Sequence, residues 1–171
     1  MLKITKGTPY LLDELNMMYQ KCKESLLQKQ IYQWDDSYPT RESIAYHLEN
    51  HELYCLFKDT SLVGAVVLNE WQSPEYTLID WSKTDGRFLI VHSFVIHPIA
   101  QGQGYSKILL SFWEDYAKKN KYTEIRLDAF TGNPVSLRLY ETNDYTCRGA
   151  IYFASKPVPY NWYNCYEKIF E

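Results

Sequence analysis

Long apolar runs are missing from this sequence: no stretch approaches the roughly 18 consecutive apolar residues a membrane-spanning helix needs, so no membrane partner is expected. A basic excess is missing too. Lysine plus arginine number 18 against 21 aspartate plus glutamate, a net charge of -3, and that balance disfavours the clustered positive surface of a nucleic-acid binder. Cysteine is scarce and scattered. Cys22, Cys55, Cys147 and Cys165 form no C-x-x-C pair and follow nothing that reads as a signal peptide, so buried free thiols in a reducing, cytoplasmic setting are expected, with no metal. Repeats, low-complexity tracts and linkers are absent, so residues 1–171 are expected to form a single domain, long enough to bury roughly two thirds of its unfolded surface.

Glycine is also sparse, which makes the pair at Gly102 and Gly104 conspicuous. Between Val95 and Leu110, an apolar run ends at Pro98, passes through both glycines and continues as an amphipathic helix starting near Gly104. Gln101-Gly102-Gln103-Gly104-Tyr105-Ser106, followed by Lys107, offers consecutive backbone N–H groups and the positive end of a helix dipole, which together form a cradle for an anion such as a pyrophosphate. Glycine serves there because the turn wants positive φ and because a Cβ would hold a phosphate oxygen out of range. No glycine pair has P-loop spacing. The dinucleotide fingerprint G-x-G-x-x-G fits at Gly102 and Gly104 but meets Lys107 at its third glycine, leaving a dinucleotide oxidoreductase as a weaker alternative.

The same stretch resembles motif A of the GNAT superfamily, the acyl-CoA-dependent N-acyltransferases, in which a strand ending V-x-P leads into [QR]-x-x-G-x-[GA]. Val95, Pro98, Gln101 and Gly104 match, and Ser106 stands where the family usually has glycine or alanine. A second resemblance lies in Asn133-Pro134-Val135-Ser136-Leu137-Arg138-Leu139-Tyr140 followed by Asn143-Asp144-Tyr145, similar to the family's N-x-x-[AS]-x-x-[LF]-Y-x-x-x-G-[FY], with Asp144 in place of the glycine. A third is Gln33-Trp34-Asp35-Asp36-Ser37-Tyr38-Pro39, which looks like a segment found between the first two helices of some small GNAT proteins.

Periodicity supplies the elements. A strand over Leu2–Lys6 precedes a helix begun at Thr8-Pro9, with the threonine hydroxyl as its cap, and running to about Gln30 with Leu11, Leu12, Leu15, Met18, Tyr19, Cys22 and Leu26 on one face. A second helix runs from Thr40 to about Asn50, and Leu53–Lys58 and Leu62–Glu70 form a hairpin. Trp71 to Arg87 reads as a polar surface connection with room for a short strand and no assigned role. Phe88–Ile96 is the buried central strand, followed by a helix to Asn120, a strand over Thr123–Ala129, a helix from Asn133-Pro134 to about Asn143, and strands over Tyr145–Phe153 and Trp162–Phe170. The resemblance implies the α+β GNAT fold: a mixed sheet of about seven strands, about four flanking helices, a splayed central strand and a pyrophosphate-binding loop. In that family the last two strands often pair between subunits, which leaves the oligomeric state open between a monomer and a homodimer.

What the resemblance implies chemically is transfer of the acetyl group of acetyl-CoA, as co-substrate, to a primary amine of a small molecule or peptide by direct attack in a ternary complex. Phe94, Val95 and Ile96 would bind pantetheine through their backbone, with the Val95 N–H meeting the carbonyl oxygen; Asn133 would bond the pantetheine arm, and Tyr140 would stand beside the thioester sulfur. A phenol with pKa near ~10 donates readily to a thiolate whose thiol lies near ~8.5, which, with Asn133 beside it in the motif, makes Tyr140 the general acid; as a residue alone it reads more readily as a core tyrosine. Trp34, Asp35 and Tyr38 would wall the acceptor, with Asp35 or Asp36 suited to a cation, although the two aromatics read equally as packing. The base is open. An amine with pKa near ~10.4 costs ~4 to 5 kcal/mol to deprotonate at neutral pH; His92, with the best intrinsic pKa and an H-x-x-V-x-P setting similar to that of related small GNATs, is the first candidate acceptor, Glu70 and Asp128 are fallbacks, a water chain would need none of them, and His97 supports the loop. A non-catalytic acyl-CoA sensor is the remaining alternative.

Overall fold

All residues from Met1 to Glu171 are described in this computed structural model. Seven strands, β1 (Leu2–Lys6), β2 (Leu53–Lys58), β3 (Ser61–Asn69), β4 (Phe88–Ile96), β5 (Glu124–Phe130), β6 (Thr146–Tyr152) and β7 (Trp162–Ile169), form a sheet in the order β1-β2-β3-β4-β5-β7-β6. Four helices accompany them: α1 (Leu12–Gln28), α2 (Arg41–Glu49), α3 (Tyr105–Lys119) and α4 (Pro134–Glu141). β4 and β5 are parallel and the connection between them runs through α3, whereas β1 with β2, β2 with β3, β5 with β7 and β6 with β7 are antiparallel. This mixed α+β arrangement is the expected one. The chain divides into two compact units, one of residues 1–68 and 92–113 and the other of residues 69–91 and 114–171.

In the first unit, the apolar face of α1 delivers Leu15, Met18, Tyr19 and Cys22 to a core shared with Ile44 and Leu48 of α2 and with Leu53, Cys55, Ala65 and Val67. Complete burial of a residue such as Leu15 stabilises the unit by roughly 2 kcal/mol. α2 begins with a capping box in which the Thr40 hydroxyl accepts from the Ser43 N–H and the Ser43 hydroxyl from the Thr40 N–H. One strand position is tightly enclosed: a Cβ on Gly64 of β3 would stand 2.9 Å from Ile96 Cδ1, 3.0 Å from Leu109 Cδ1 and 3.1 Å from the Val95 carbonyl oxygen.

In the second unit, the β4–β5 ladder covers Phe88, Leu89 and Ile90 opposite Glu124, Ile125 and Arg126, and β5 pairs along its whole length with β7. The buried Arg126 guanidinium lies between the Phe88 and Trp81 rings, 3.8 and 4.6 Å from their centroids. Its nitrogens donate to Glu124 Oε1, Gln72 Oε1 and the Lys83 carbonyl at 2.6, 2.8 and 2.6 Å, and Glu167 accepts from the Ser82 N–H at 3.0 Å. These bonds fasten the 71–87 connection to the strands of its own unit.

The structure corrects several expectations. Thr8 makes no side-chain cap; Pro9–Leu11 form a 3-10 turn and α1 ends at Gln28, because Gln30 turns to φ 59°. The 71–87 connection holds no strand, only a 3-10 turn over Pro74–Leu78 with Pro74 in its first turn. Cys22, Cys55 and Cys165 are buried free thiols, but Cys147 is exposed, since its side chain projects from the outermost strand β6.

Candidate functional site

The loop entering α3 has the geometry its glycines demand. Gly102 and Gly104 adopt φ of 76° and 82°, and a Cβ built on either meets nothing within 4 Å. The chain itself leaves that space open, so φ alone selects glycine here, and the space beside the loop can hold an anion. Gln101, Gly102, Gln103 and Gly104 are exposed, Tyr105 is buried, Ser106 half-buried and Lys107 exposed. The two glutamines turn back on the loop: Gln101 Nε2 donates to the Ile96 carbonyl at 3.1 Å and Gln103 Nε2 to the Ile99 carbonyl at 3.3 Å. Lys29 Nζ reaches Gln101 Oε1 at 3.4 Å. With those side chains engaged, the loop presents backbone, and the N–H groups of the first turn of α3 have no earlier carbonyl in the helix to satisfy them. His97 accepts from the Ile99 N–H at 3.2 Å and caps the short turn at Pro98–Ala100, the supporting part expected of it. Burial, with Lys21 nearby, holds its imidazole pKa below the ordinary value.

Within β4, Ser93 takes φ 48°, a left-handed backbone that a non-glycine residue rarely adopts inside a strand. Two tyrosines brace it. Tyr19 of α1 donates its hydroxyl to the Ser93 carbonyl at 2.5 Å, and the Tyr38 hydroxyl bonds the Ser93 hydroxyl. Neither brace was legible beforehand, because nothing local marks Ser93 as irregular. His92 and Phe94, the neighbours of the kink, are half-buried; Phe94 meets the Trp113 ring edge-on at 5.1 Å, Val95 is buried and Ile96 half-buried.

The 33–39 segment serves packing as well as any wall. Trp34 is half-buried against the core of the first unit, its ring 6.0 Å from that of Tyr19. Asp35 is exposed and accepts from the Ser37 N–H at 2.8 Å. The cation that Asp35 and Asp36 already influence is Lys23, whose buried ammonium donates to the Pro39 carbonyl at 2.6 Å. Desolvation lowers its pKa, and the two aspartates oppose that shift.

The second unit holds the other predicted residues. Asn133 is buried and caps α4, its Oδ1 accepting from the Ser136 N–H at 3.2 Å. Tyr140 is buried among the Tyr166 and Tyr145 rings, at 5.6 and 5.7 Å. Burial, with the charge of Asp128 and then Tyr166 nearby, raises its pKa well above the ordinary phenol value and keeps it protonated. Asp128 is half-buried, accepts from the Tyr76 hydroxyl at 2.6 Å and has its pKa raised by burial. Glu70 is a different kind of carboxylate. It is exposed, bonded to Arg87 Nη2 at 2.6 Å and to the Tyr122 hydroxyl at 2.9 Å, and these bonds hold its pKa below the ordinary value. Tyr76 went unpredicted. The available signal was the run Tyr76, Leu78, Ile79 and Trp81, apolar and aromatic residues gathered just after Ser73-Pro74 in a largely polar connection.

Residues 12–145 match the family model described as the acetyltransferase (GNAT) family. The chain belongs to that family. It is an acyltransferase, and family membership brings acyl transfer from an acyl-CoA as its general chemistry, in place of the sensor and oxidoreductase alternatives. No functionally curated protein matches its sequence. Among solved structures, a GNAT-family acetyltransferase from Streptococcus agalactiae superposes with a TM-score of 0.84 at 18% identity, covering 99% of this chain and 96% of that one. The yncA protein of Salmonella typhimurium, solved with its cofactor acetyl-CoA, gives 0.72 at 13% identity over 99% and 94%. The PaiA N-acetyltransferase of Thermoplasma acidophilum, in complex with coenzyme A, gives 0.71 at 16% identity over 99% and 99%. At these identities the likeness concerns the GNAT fold. No helix of the chain is long and apolar enough to cross a membrane.

Proposed function

We propose that residues 1–171 work as one N-acetyltransferase domain, cytoplasmic in setting, that moves the acetyl group of acetyl-CoA to a primary amine of a small molecule or peptide by direct attack in a ternary complex. The observation that carries this reading is the α3 entry loop, where Gly102 and Gly104 hold left-handed backbone beside open space and the loop's own side chains are turned away. The Gln101 N–H closes on the Pro98 carbonyl at 3.4 Å, so within the Gln101–Lys107 run it is the backbone N–H groups from Gly102 onward that would grip the diphosphate, those of the first helical turn lacking an intrahelical partner and adding the dipole. Phe94, Val95 and Ile96 would take pantetheine along the strand. Asn133, whose Oδ1 caps α4, would bond the same arm.

Bound acetyl-CoA supplies an activated thioester. The chain's residues then stabilise charge and move protons. The Val95 N–H donates to the carbonyl oxygen as it becomes negative, the kind of oriented donor whose loss typically costs about 10²-fold or more in rate. Tyr140 protonates the departing sulfur. Its raised pKa is no obstacle, because a donor must hold its proton until the thiolate appears. Trp34, Asp35 and Tyr38 line the acceptor side, and the tie from Tyr38 to Ser93 sets that segment against the kink in β4.

Thermal shift with acetyl-CoA, followed by a free-CoA assay over a panel of amines, tests the reading. Stabilisation by acetyl-CoA and amine-dependent CoA release are expected. Failure of millimolar acetyl-CoA to bind protein stripped of carried-over ligand sinks it.

A further inference from the structure

The acetyl-transfer reading leaves open which group takes the acceptor's proton, and the second unit points to one. Asp128 lies near the C-terminal end of β5, in register with Cys165 of β7, and is only half-buried. Tyr76 donates to Oδ2 at 2.6 Å, Oδ1 has no hydrogen bond from the chain, and no arginine or lysine forms a salt bridge with it. Tyr76 is fixed in turn. Its ring packs 5.3 Å from Trp81, whose Nε1 donates to the Tyr76 carbonyl at 2.9 Å, and Trp81 stacks on the Arg126 guanidinium. The titratable and charged groups around Asp128 are Glu75 and Tyr76 from the 74–78 turn, Tyr140 from α4, Cys165 from β7 and Lys156 from the loop after β6.

That arrangement differs from a structural ion pair, where the carboxylate is spent on its partner, as Glu70 is on Arg87. Here a neutral phenol orients one oxygen and leaves the other to a ligand, beside the tyrosine already given the proton-donor role. We propose, resting on the acetyl-transfer reading, that Asp128 Oδ1 binds the ammonium group of the acceptor and takes its proton, with Tyr76 as the positioning residue. The acceptor is then a primary amine that arrives as a cation.

The protons balance. The ammonium gives one proton to Asp128, which releases it to solvent. The freed lone pair forms the C–N bond as the C–S bond breaks. Tyr140 gives its proton to the sulfur and is restored by the second proton lost from nitrogen.

The test is steady-state CoA release with acetyl-CoA and a panel of an α,ω-diamine, a polyamine, an amino-acid amide and a peptide N-terminus, across pH. Asp128→Asn is expected to lower kcat/KM about 10²-fold or more at neutral pH, with the loss shrinking as pH approaches the acceptor's own pKa and with the acetyl-CoA thermal shift retained. Tyr76→Phe should lower kcat while leaving the KM for acetyl-CoA in place. It should also move the acid limb of the profile to higher pH, because the Tyr76 hydrogen bond holds the Asp128 carboxyl down. Lys156→Met should move that limb the same way, and Glu75→Gln the opposite way. An Asp128→Asn protein that binds acetyl-CoA and keeps the wild-type rate and profile overturns the assignment while leaving the function standing. An acid limb unmoved in Tyr76→Phe, Lys156→Met and Glu75→Gln overturns it even where Asp128→Asn fails to fold. Wild-type protein that binds acetyl-CoA but releases no CoA with any amine overturns the function and this assignment together.

Discussion

The loop entering α3 and the cluster around Tyr140 are built on opposite plans. The loop is one contiguous run in which backbone amides carry the binding and side chains only hold the run in shape: Gln101 and Gln103 reach back to the Ile96 and Ile99 carbonyls. The cluster collects Tyr76, Asp128, Tyr140, Lys156 and Cys165 from five separate segments, and its chemistry rests on side-chain atoms. A backbone site tolerates changes of side chain but not of φ. A side-chain site tolerates neither the loss of one oxygen nor a shift of the element that carries it.

The sharpest way to break this contrast is Tyr140→Phe, which removes one oxygen and is expected to cost about 10²-fold in kcat while acetyl-CoA affinity, read by calorimetry, stays put. Equal losses in both would move Tyr140 from proton transfer to binding. Next comes Gly104→Ala, placed where a Cβ touches no part of the chain. Forcing an L-residue to φ near 82° costs about 1 to 2 kcal/mol, so acetyl-CoA affinity should fall about tenfold, whereas Gln103→Ala should change it little. The reverse ranking would mean that side chains, not amides, make the cradle.

Asp144→Gly gives a smaller effect of opposite sign. Asp144 follows α4 at φ 67°, and the Tyr145 N–H closes on the Tyr140 carbonyl at 3.1 Å, the helix exit that glycine makes without strain. Glycine there should stabilise the protein by about 1 kcal/mol in urea titration, with kinetics unaltered. Smallest is a pH effect. Asp128's pKa is raised in the folded state, so its contribution to stability is complete below the ordinary carboxylate value near ~3.9 and is lost as pH climbs through the raised value. Asp128→Asn should therefore melt higher than wild type at neutral pH, with the advantage vanishing in acid. A constant difference at all pH would mean that the charge plays no part.

The same contrast explains what could be read beforehand. Motif A, the turn at Asn133-Pro134 and the strand and helix order follow from residues adjacent in sequence, and those expectations held to within a few residues at element ends. Gly102 and Gly104 announce their φ, and His97 beside Pro98 announced its supporting part. Ser93 announced nothing, because its left-handed φ is sustained by hydroxyls brought from α1 and from Tyr38. Tyr76 stayed hidden for a related reason: the connection that carries it is fastened beyond its 3-10 turn, at Lys83 and Ser82, by Arg126 and Glu167, about 40 or more residues downstream. Glu70 and Asp128 looked alike as carboxylates at strand ends, and only their neighbours, an arginine for one and a phenol for the other, tell them apart.

Gly64 has a consequence for how this chain drifts. The Ile96 and Leu109 side-chain tips and the Val95 carbonyl converge on that residue, so one added methyl must displace the two tips and crowd the carbonyl. Codon 64 should therefore be restricted by the size of what is added, while codon 102, surrounded by open space, is restricted by its φ of 76° and should admit asparagine before other residues. Deep mutational scanning would show these two glycines, alike on paper, constrained for different reasons, side-chain size at one and backbone conformation at the other.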